Sequence, residues 1–201
     1  MLKVGLTGGL ASGKSFAGQA LADLGCHLIQ ADELGHQVLL PGAEAYDGVV
    51  REFGPAILDP DGKIDRKRLA AQVFGNPERL AALNRLVHPA VFRREEEMMA
   101  AIAARDPKAI VVVEAAILIE TGSYRRFDKL ILAVCGREQQ VERAMRRDGA
   151  TREEVLARLE RQMPLEEKRK FADYVIDTSG GKQDTLRQAR EIYEELRKID
   201  P

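Results

Sequence analysis

A glycine-rich stretch near the start of the chain has the residue types and spacing of a phosphate-binding loop. Residues 8–15 read Gly-Gly-Leu-Ala-Ser-Gly-Lys-Ser and fit the pattern GxxxxGKS. In this pattern, backbone N–H groups surround the phosphates of a nucleoside triphosphate, the lysine reaches the β- and γ-phosphates, and the hydroxyl binds Mg²⁺. Lys14 is therefore predicted to bind phosphate and Ser15 to bind Mg²⁺.

The flanking sequence predicts the two elements that such a loop requires. The apolar run Leu2–Leu6 predicts a buried strand before the loop, and a helix is predicted from Gly13 to Leu24. The dipole at the start of that helix favours bound anions. A chance glycine turn followed by a surface lysine and serine is the alternative, and the flanking strand and helix disfavour it. The motif predicts nucleotide binding but not the reaction that follows.

Two carboxylates follow predicted strands. Asp32 comes after the second predicted strand, Cys26–Gln30, and Glu114 ends the apolar run Ile110–Glu114. Because ligands of open α/β sheets bind at the carboxyl ends of the strands, Asp32 is a candidate catalytic residue and Glu114 a candidate acid beside the metal. Alternatively, Asp32 is the N-cap of a helix at Glu33–Leu40, and Glu114 simply meets solvent at a strand end.

The long separation between the second and third predicted strands requires an inserted region. We expect a helical acceptor-binding insertion at about residues 32–108. Further strands are predicted at Lys129–Val134 and Tyr174–Asp177, so alternation with helices gives a five-stranded parallel sheet. The helices predicted within the insertion are Ala43–Phe53, Asp65–Phe74, Pro77–Val87 and Pro89–Ala104, with Asn76 as the N-cap of the third.

An arginine-rich helical stretch at about residues 137–170 precedes the last predicted strand. Thr151 and Glu154 have the spacing of a capping box, so we expect two helices there, and most of the arginines should be solvated. Arg143 and Arg147 are four residues apart, share one helix face and could bind transferring phosphates. An acceptor-binding insertion and a helical lid that excludes water are typical of a small-molecule kinase.

The predicted fold class is therefore α/β: one domain with a five-stranded parallel sheet of P-loop kinase type, similar to nucleoside monophosphate kinases. The formal net charge of −1 argues against a general nucleic-acid surface. No apolar run reaches about 18 residues, and the first residues lack the pattern of a signal peptide, so we expect a cytoplasmic protein with no membrane partner. Cys26 and Cys135 are expected to be buried free thiols.

The order of several short motifs resembles the dephospho-CoA kinase family, whose members phosphorylate the ribose 3′-hydroxyl of dephospho-CoA. The similarity extends from Val4 to about Gly180. The motifs that carry it are Gly5–Gly9, Ala31-Asp32 with His36, Phe53-Gly54, Asp61-Gly62, Ile64–Arg66, His88-Pro89, Glu120–Gly122, Arg143 with Arg147, Arg158 with Gln162, and Ala172–Asp177.

The resemblance implies ATP and dephospho-CoA as substrates and Mg²⁺ as cofactor. We expect a monomer or weak homo-oligomer. It implies that Asp32 orients the attacking hydroxyl or accepts its proton, and that Lys14, Arg143 and Arg147 bind the transferring phosphates. The expected nucleotide-binding residues are Gly8, Gly9, Leu10, Ala11, Ser12, Gly13, Lys14, Ser15 and Phe16. The expected acceptor-binding residues are Thr7, Asp32, Arg66, His88, Pro89 and Leu118.

Alternatives remain at this point. His88 could instead be an N-terminal helix cap packed by Pro89. The chain departs from the family pattern at Phe16, at Glu114–Ile119 and at Thr178, so the resemblance assigns no role to Glu114 or Thr178. Another P-loop kinase acting on a nucleotide, shikimate or gluconate is the second interpretation, and a nucleotide-dependent switch without catalysis is the third.

Overall fold

The computed structural model describes residues 1–199 and contains one parallel sheet of five strands. The strands are β1 Leu2–Gly8, β2 His27–Gln30, β3 Ile110–Glu114, β4 Lys129–Val134 and β5 Tyr174–Asp177. Their order in the sheet is β2-β3-β1-β4-β5, and every neighbouring pair is parallel. This arrangement confirms the predicted fold class.

One α-helix separates β1 from β2, several lie between β2 and β3 and between β4 and β5, and only a 3₁₀ helix lies between β3 and β4. Short 3₁₀ helices lie at Pro55–Ile57, Ser123–Arg126 and Arg169–Phe171. The α-helices of the described chain are α1 Lys14–Asp23, α2 Ala31–Gln37, α3 Tyr46–Phe53, α4 Arg66–Val73, α5 Pro77–Arg105, α6 Arg137–Asp148, α7 Arg152–Leu159, α8 Leu165–Lys168 and α9 Lys182–Leu196. Within residues 1–199, no helix is long and apolar enough to cross a membrane.

The apolar composition of the central strands explains the core of the sheet. All five residues of β3 are buried, as expected for a strand of a parallel sheet covered by helices. Val4 and Leu6 of β1 share one buried cluster with Leu21 of α1 and Ile192 of α9. The sheet, α1 and α9 therefore hold the carboxyl end of β1, where the glycine-rich loop begins.

The chain divides into two compact units. The first contains residues 1–30 and the chain from residue 102 onward, and therefore the whole sheet. The second is Ala31–Ala101, with α2, α3, α4 and most of α5. In this second unit, the Asp65 side chain caps α4 by accepting hydrogen bonds from the N–H groups of Lys67 and Arg68. The acceptor-binding role of the inserted region stays a prediction.

The structure corrects the helices predicted around Pro89. The sequence predicts a break before this residue, but α5 is one continuous helix from Pro77 to Arg105. Proline removes one backbone hydrogen bond and restricts the preceding residue. Buried positions on both sides of it, including Ala82, Ala90 and Met99, keep the two halves in one helix. His88 is therefore inside a helix, and its interpretation as an N-terminal cap is wrong.

The start of α2 also differs from the prediction. The helix begins at Ala31 and ends at Gln37, so Asp32 lies in its first turn rather than before it. The N-cap interpretation of Asp32 is therefore wrong. A carboxylate in the first turn still interacts favourably with the helix dipole, which explains why an acid is tolerated there.

Capping residues predicted from the sequence are confirmed at two other helices. Asn76 Oδ1 accepts a hydrogen bond from the N–H of Arg79 at 3.1 Å, next to the start of α5. Thr151 and Glu154 exchange both hydrogen bonds of a capping box, and three residues separate the end of α6 at Asp148 from the start of α7 at Arg152. The arginine-rich stretch therefore contains the two helices predicted there.

Candidate active site

The glycines of the loop between β1 and α1 stand where a side chain has no room. A Cβ atom on Gly8 would lie 2.3 Å from Ser12 Oγ, and one on Gly9 would lie 2.5 Å from Gln140 Nε2. Gly13 has a φ of +82°, and a Cβ atom there would lie 2.6 Å from Thr178 Oγ1. Close packing explains all three glycines, and the left-handed backbone adds a second reason at Gly13.

The loop carries a set of donors suited to phosphate oxygens. Ser12 Oγ is buried and has no hydrogen-bond partner among the described residues. The first turn of α1, from Lys14, presents backbone N–H groups that have no acceptor within the helix. Together with the Lys14 ammonium, these groups fit the phosphates of a nucleotide.

Lys14 and Ser15 meet at one carboxylate oxygen of Glu114. Lys14 Nζ lies 2.7 Å and Ser15 Oγ 2.6 Å from Glu114 Oε1, and both donate to it. Gln30 Nε2, at the end of β2, donates to Glu114 Oε2 at 3.4 Å. Glu114 is only 4% exposed, so its interpretation as a solvent-facing strand end is wrong. Parallel pairing places Gln30 beside Glu114 and Glu114 beside Leu6, which explains how the three segments converge.

The surroundings of Glu114 keep it ionised. Burial alone would raise the pKa of this carboxyl group. The positive charge of Lys14 and the hydrogen bonds from Lys14, Ser15 and Gln30 outweigh burial and lower the pKa below its ordinary value. A charged Glu114 therefore stays available to accept hydrogen bonds or to bind a cation at neutral pH.

The oxygens of Ser15 and Glu114 are ligands of the kind that Mg²⁺ prefers. Within residues 1–199, no group of three or more histidine, cysteine or acidic side chains is arranged to hold a metal ion. Mg²⁺ commonly keeps several waters and is bound by one or two protein oxygens together with substrate phosphates. The residues present fit a Mg²⁺ ion that arrives with a nucleotide.

Arg143 is connected to the loop through Thr178. Its Nη1 donates to Thr178 Oγ1 at 3.0 Å and its Nη2 to the Thr178 carbonyl at 2.7 Å. The Thr178 hydroxyl in turn donates to the Ser12 carbonyl at 2.8 Å. The sequence assigned no role to Thr178, and the structure shows that it joins the loop, α6 and the end of β5.

Arg147 has different partners from Arg143. It donates from Nε and Nη2 to the two carboxylate oxygens of Asp148, which also accepts from Arg158 at 2.6 Å. Hydrogen bonds from both arginines lower the pKa of Asp148 well below its ordinary range. In this structure the two predicted phosphate-binding arginines therefore bind different groups.

Two of the predicted acceptor-binding residues lie in the first unit and are buried. The Thr7 hydroxyl donates to the Ala116 carbonyl at 3.2 Å. Leu118 follows β3, and a Cβ atom on Gly5 would lie 3.1 Å from its Cδ1. Phe16, predicted beside the nucleotide, has Lys182 Nζ 5.9 Å from its ring centroid. Roles of these residues in ligand binding stay predictions.

The other acceptor residues belong to the second unit. Asp32 and Arg66 are exposed in the first turns of α2 and α4. His88 lies within α5 next to Pro89, 6.0 Å from the Phe92 ring, and partial burial lowers its pKa. Their roles in acceptor binding also stay predictions.

Three further residues contact the loop, and the sequence predicts no role for them. Gln140 Nε2 donates to the Leu10 carbonyl at 2.7 Å, and Gln162 Oε1 accepts from the Leu10 N–H at 2.8 Å. Lys168 Nζ donates to the Gly8 carbonyl at 3.4 Å. Glutamine and lysine are common on solvated helix faces, so their residue types alone could not indicate these contacts.

The sheet order, the crowded glycine loop and the lysine at the start of α1 place the protein among α/β proteins with a phosphate-binding loop. A family model described as dephospho-CoA kinase matches residues 2–184. The dephospho-CoA kinase of Aquifex aeolicus is 40% identical over 196 residues, which cover 98% of each chain. The chain belongs to the dephospho-CoA kinase family.

Two solved structures share this fold over nearly their whole length. The crystal structure of TT1252 from Thermus thermophilus matches with a TM-score of 0.85 at 34% identity, covering 100% of this chain and 98% of that chain. A dephospho-CoA kinase from Campylobacter jejuni matches with a TM-score of 0.64 at 27% identity, covering 98% of both chains.

Proposed function

We propose that the protein transfers the γ-phosphoryl group of ATP to the ribose 3′-hydroxyl of dephospho-CoA, giving CoA and ADP. The observation that carries this proposal is the meeting of Lys14 Nζ and Ser15 Oγ at Glu114 Oε1 beside the glycine loop. This arrangement supports the binding of nucleotide phosphates and a cation. Family membership supports the choice of acceptor.

In the proposed reaction, the 3′-oxygen of the acceptor bonds to the γ-phosphorus, and the bond between that phosphorus and the β,γ-bridging oxygen breaks. Lys14 and the N–H groups at the start of α1 stabilise the negative charge on the phosphate oxygens. Ser15 would hold Mg²⁺, which would supply further positive charge to the phosphates. ADP is the leaving group.

Asp32 is the residue that we propose for the acceptor hydroxyl. Only Ala31 separates it from Gln30, whose side chain donates to Glu114. The Asp32 carboxylate accepts the proton of the 3′-hydroxyl as the new bond forms. Because a carboxylate is a weak base, correct orientation of the hydroxyl contributes more to the rate than proton removal does.

The lid arginines are proposed to reach the phosphates when the lid closes. Arg143 donates to Thr178, and the Thr178 hydroxyl donates to the Ser12 carbonyl in the loop. A phosphate bound in the loop would therefore lie close to Thr178 and to the Arg143 guanidinium. Arg147 would exchange Asp148 for a phosphate group.

We also propose that the enzyme acts as a monomer or weak homo-oligomer, which light scattering tests.

The test is acceptor-dependent ADP release with Mg-ATP, comparing dephospho-CoA, adenosine monophosphate and shikimate, with mass spectrometry of the product. We expect dephospho-CoA alone to gain one phosphate. Phosphorylation of a different acceptor would replace the proposed substrate while keeping the kinase assignment. ATP binding without transfer to any acceptor would overturn the proposal in favour of a non-catalytic nucleotide switch.

A further inference from the structure

Lys168, the last residue of α8, is a buried cation that contacts the loop and has no part in the reaction proposed above. Its side chain is 0% exposed, and its Nζ lies 2.7 Å from Glu120 Oε1. The same ammonium donates to the carbonyls of Gly8 at 3.4 Å and Ala116 at 3.3 Å. It therefore joins the first residue of the phosphate loop to the segment that follows β3.

A buried ammonium is costly for a protein to maintain. Removing the charge from water carries a penalty that its ion pair and hydrogen bonds must offset, and apolar residues of similar volume often stabilise as well or better. Stability is therefore a weak reason for a lysine at this position. The acceptors that it contacts suggest a role in the geometry of the loop.

The segment from residue 162 to residue 168 contacts three consecutive residues of the loop. Gln162 accepts from the Leu10 N–H, and Lys168 donates to the Gly8 carbonyl. Between these two contacts, a Cβ atom on Gly9 would lie 3.3 Å from Leu165 Cδ2. This segment, which returns from α7, thus holds the loop by polar contacts on both sides of Gly9.

We propose that Lys168 is a positioning residue for phosphoryl transfer. Its ammonium fixes the Gly8 carbonyl against Ala116 and Glu120, which keeps the loop N–H groups aligned on the phosphates. Lys168 acts through Gly8 and does not touch the substrate. This proposal rests on the proposed kinase function and names a further residue that the reaction requires.

The central variant is Lys168→Met, which keeps the length of the side chain and removes its charge. We expect kcat to fall at least about tenfold while the KM for ATP changes less than about threefold, because small misplacements of binding groups affect the transition state most. Lys170→Met is the matched control, since Lys170 is exposed two residues away, and it should keep the kcat of the wild type. A purely structural lysine would change the melting temperature without changing kcat per folded enzyme.

A second variant separates positioning from charge balance. In Lys168→Met/Glu120→Gln, both charges of the ion pair are removed, so no uncompensated carboxylate remains. We expect this double variant to be more stable than Lys168→Met and to keep the low kcat. Recovery of kcat to within about threefold of wild type would overturn the proposal, because only the unpaired charge of Glu120 would then have mattered.

If neither Lys168 variant folds, Gln162→Met decides the question. Gln162 is partly exposed, and its replacement removes the other polar contact of the same segment with the loop. A fall in kcat with little change in ATP KM supports positioning by this segment, and an unchanged kcat overturns it. Absence of product from the wild-type enzyme would overturn the kinase function itself, whereas active wild-type enzyme with fully active folded variants overturns only the role of Lys168.

Discussion

Lys14 Nζ and Ser15 Oγ donate hydrogen bonds to the same oxygen, Oε1 of Glu114, at 2.7 and 2.6 Å respectively. In this structure the carboxylate compensates the charge of the lysine that we propose as a phosphate ligand. We expect a bound triphosphate to offer Lys14 a stronger anion, while Glu114 keeps its hydrogen bond from Ser15. One buried acid thus holds both side chains in place beside the loop.

The paired state of Glu114 makes stability depend on pH. Because the pKa of Glu114 is lowered in the folded protein, its contribution to the free energy of unfolding is present above its ordinary pKa of 4.5 and is lost as the pH falls through the lower folded value. Glu114→Gln should reduce this free energy by about 3 kcal/mol at pH 7, since the Lys14 charge loses its partner. The difference between wild type and variant should shrink under acid conditions.

Urea denaturation of both proteins at pH 7 and at a series of values below pH 4.5 tests this prediction. Glu194→Gln on the exposed face of α9 is the control, and its difference from wild type should stay small at every pH. If the difference in the free energy of unfolding between wild type and Glu114→Gln increased towards acid pH, this would contradict the lowered pKa of Glu114.

Asp32→Asn tests the residue proposed for the acceptor hydroxyl. The amide cannot accept the proton, so we expect kcat to fall about a hundredfold. ATP affinity should change little, because we propose that the loop and Lys14, not Asp32, bind the nucleotide. Glu33→Gln changes the neighbouring acid in the same exposed turn and should keep the wild-type kcat. Equal activity of Asp32→Asn and wild type in a coupled ADP assay would remove Asp32 from the mechanism.

Among the elements, the direction of α1 depends on the backbone turn that precedes its first residue. The backbone passes through Ala11 with a φ of +53° and Gly13 with a φ of +82° before the helix begins at Lys14. Left-handed backbone at a residue with a side chain costs about 1–2 kcal/mol. This turn directs the start of α1 at the phosphate site and explains why the motif has a glycine immediately before its lysine.

Gly13→Ala should therefore be more harmful than alanine at an ordinary helix end. A methyl group there meets Thr178 atoms at 2.6 to 2.8 Å as well as the positive φ. Gly149→Ala is the matched control, because Gly149 has a φ of +65° at the end of α6 and open space around its added Cβ. We expect Gly149→Ala to lose about 1 kcal/mol of the free energy of unfolding. Gly13→Ala should lose clearly more of this free energy and should also lose ATP affinity.

Urea denaturation and a fluorescent-nucleotide titration measure these two effects. Equal losses of stability in the two variants would show that Thr178 yields to the methyl group. Retained ATP affinity in Gly13→Ala would show that the direction of α1 does not depend on this turn.

For the whole molecule, local patterns in the sequence predicted the sheet and the caps at Asn76 and Thr151 but not the contacts between distant segments. The β-branched run Ile110–Glu114 predicted β3, and the cap at Asn76 followed from its proline neighbour. The break at Pro89 was wrong because burial on both sides of the proline outweighs a local preference. Lys168 was missed because its burial arises from Glu120 and Gly8, which lie far away in sequence.

Ligand binding connects the site to the stability of the whole fold. A nucleotide that binds only the folded state should stabilise it by about 2.7 kcal/mol at a hundred times its Kd. We therefore expect Mg-ATP to raise the melting temperature of wild type and of Asp32→Asn, which keeps the phosphate-binding residues. In Lys14→Ala this rise should vanish, because the phosphates lose their main cation and Glu114 becomes an uncompensated buried acid beside them.

Differential scanning fluorimetry with and without Mg-ATP makes this comparison within each variant, so that any intrinsic loss of stability in Lys14→Ala cancels. A full rise in Lys14→Ala would mean that the nucleotide binds elsewhere, and a missing rise in Asp32→Asn would mean that Asp32 contributes to ATP binding. Together with the coupled ADP assay, we expect Asp32→Asn to bind Mg-ATP without turnover and Lys14→Ala to lose both binding and turnover. This pattern would separate the nucleotide site from the acceptor site in a single intact protein.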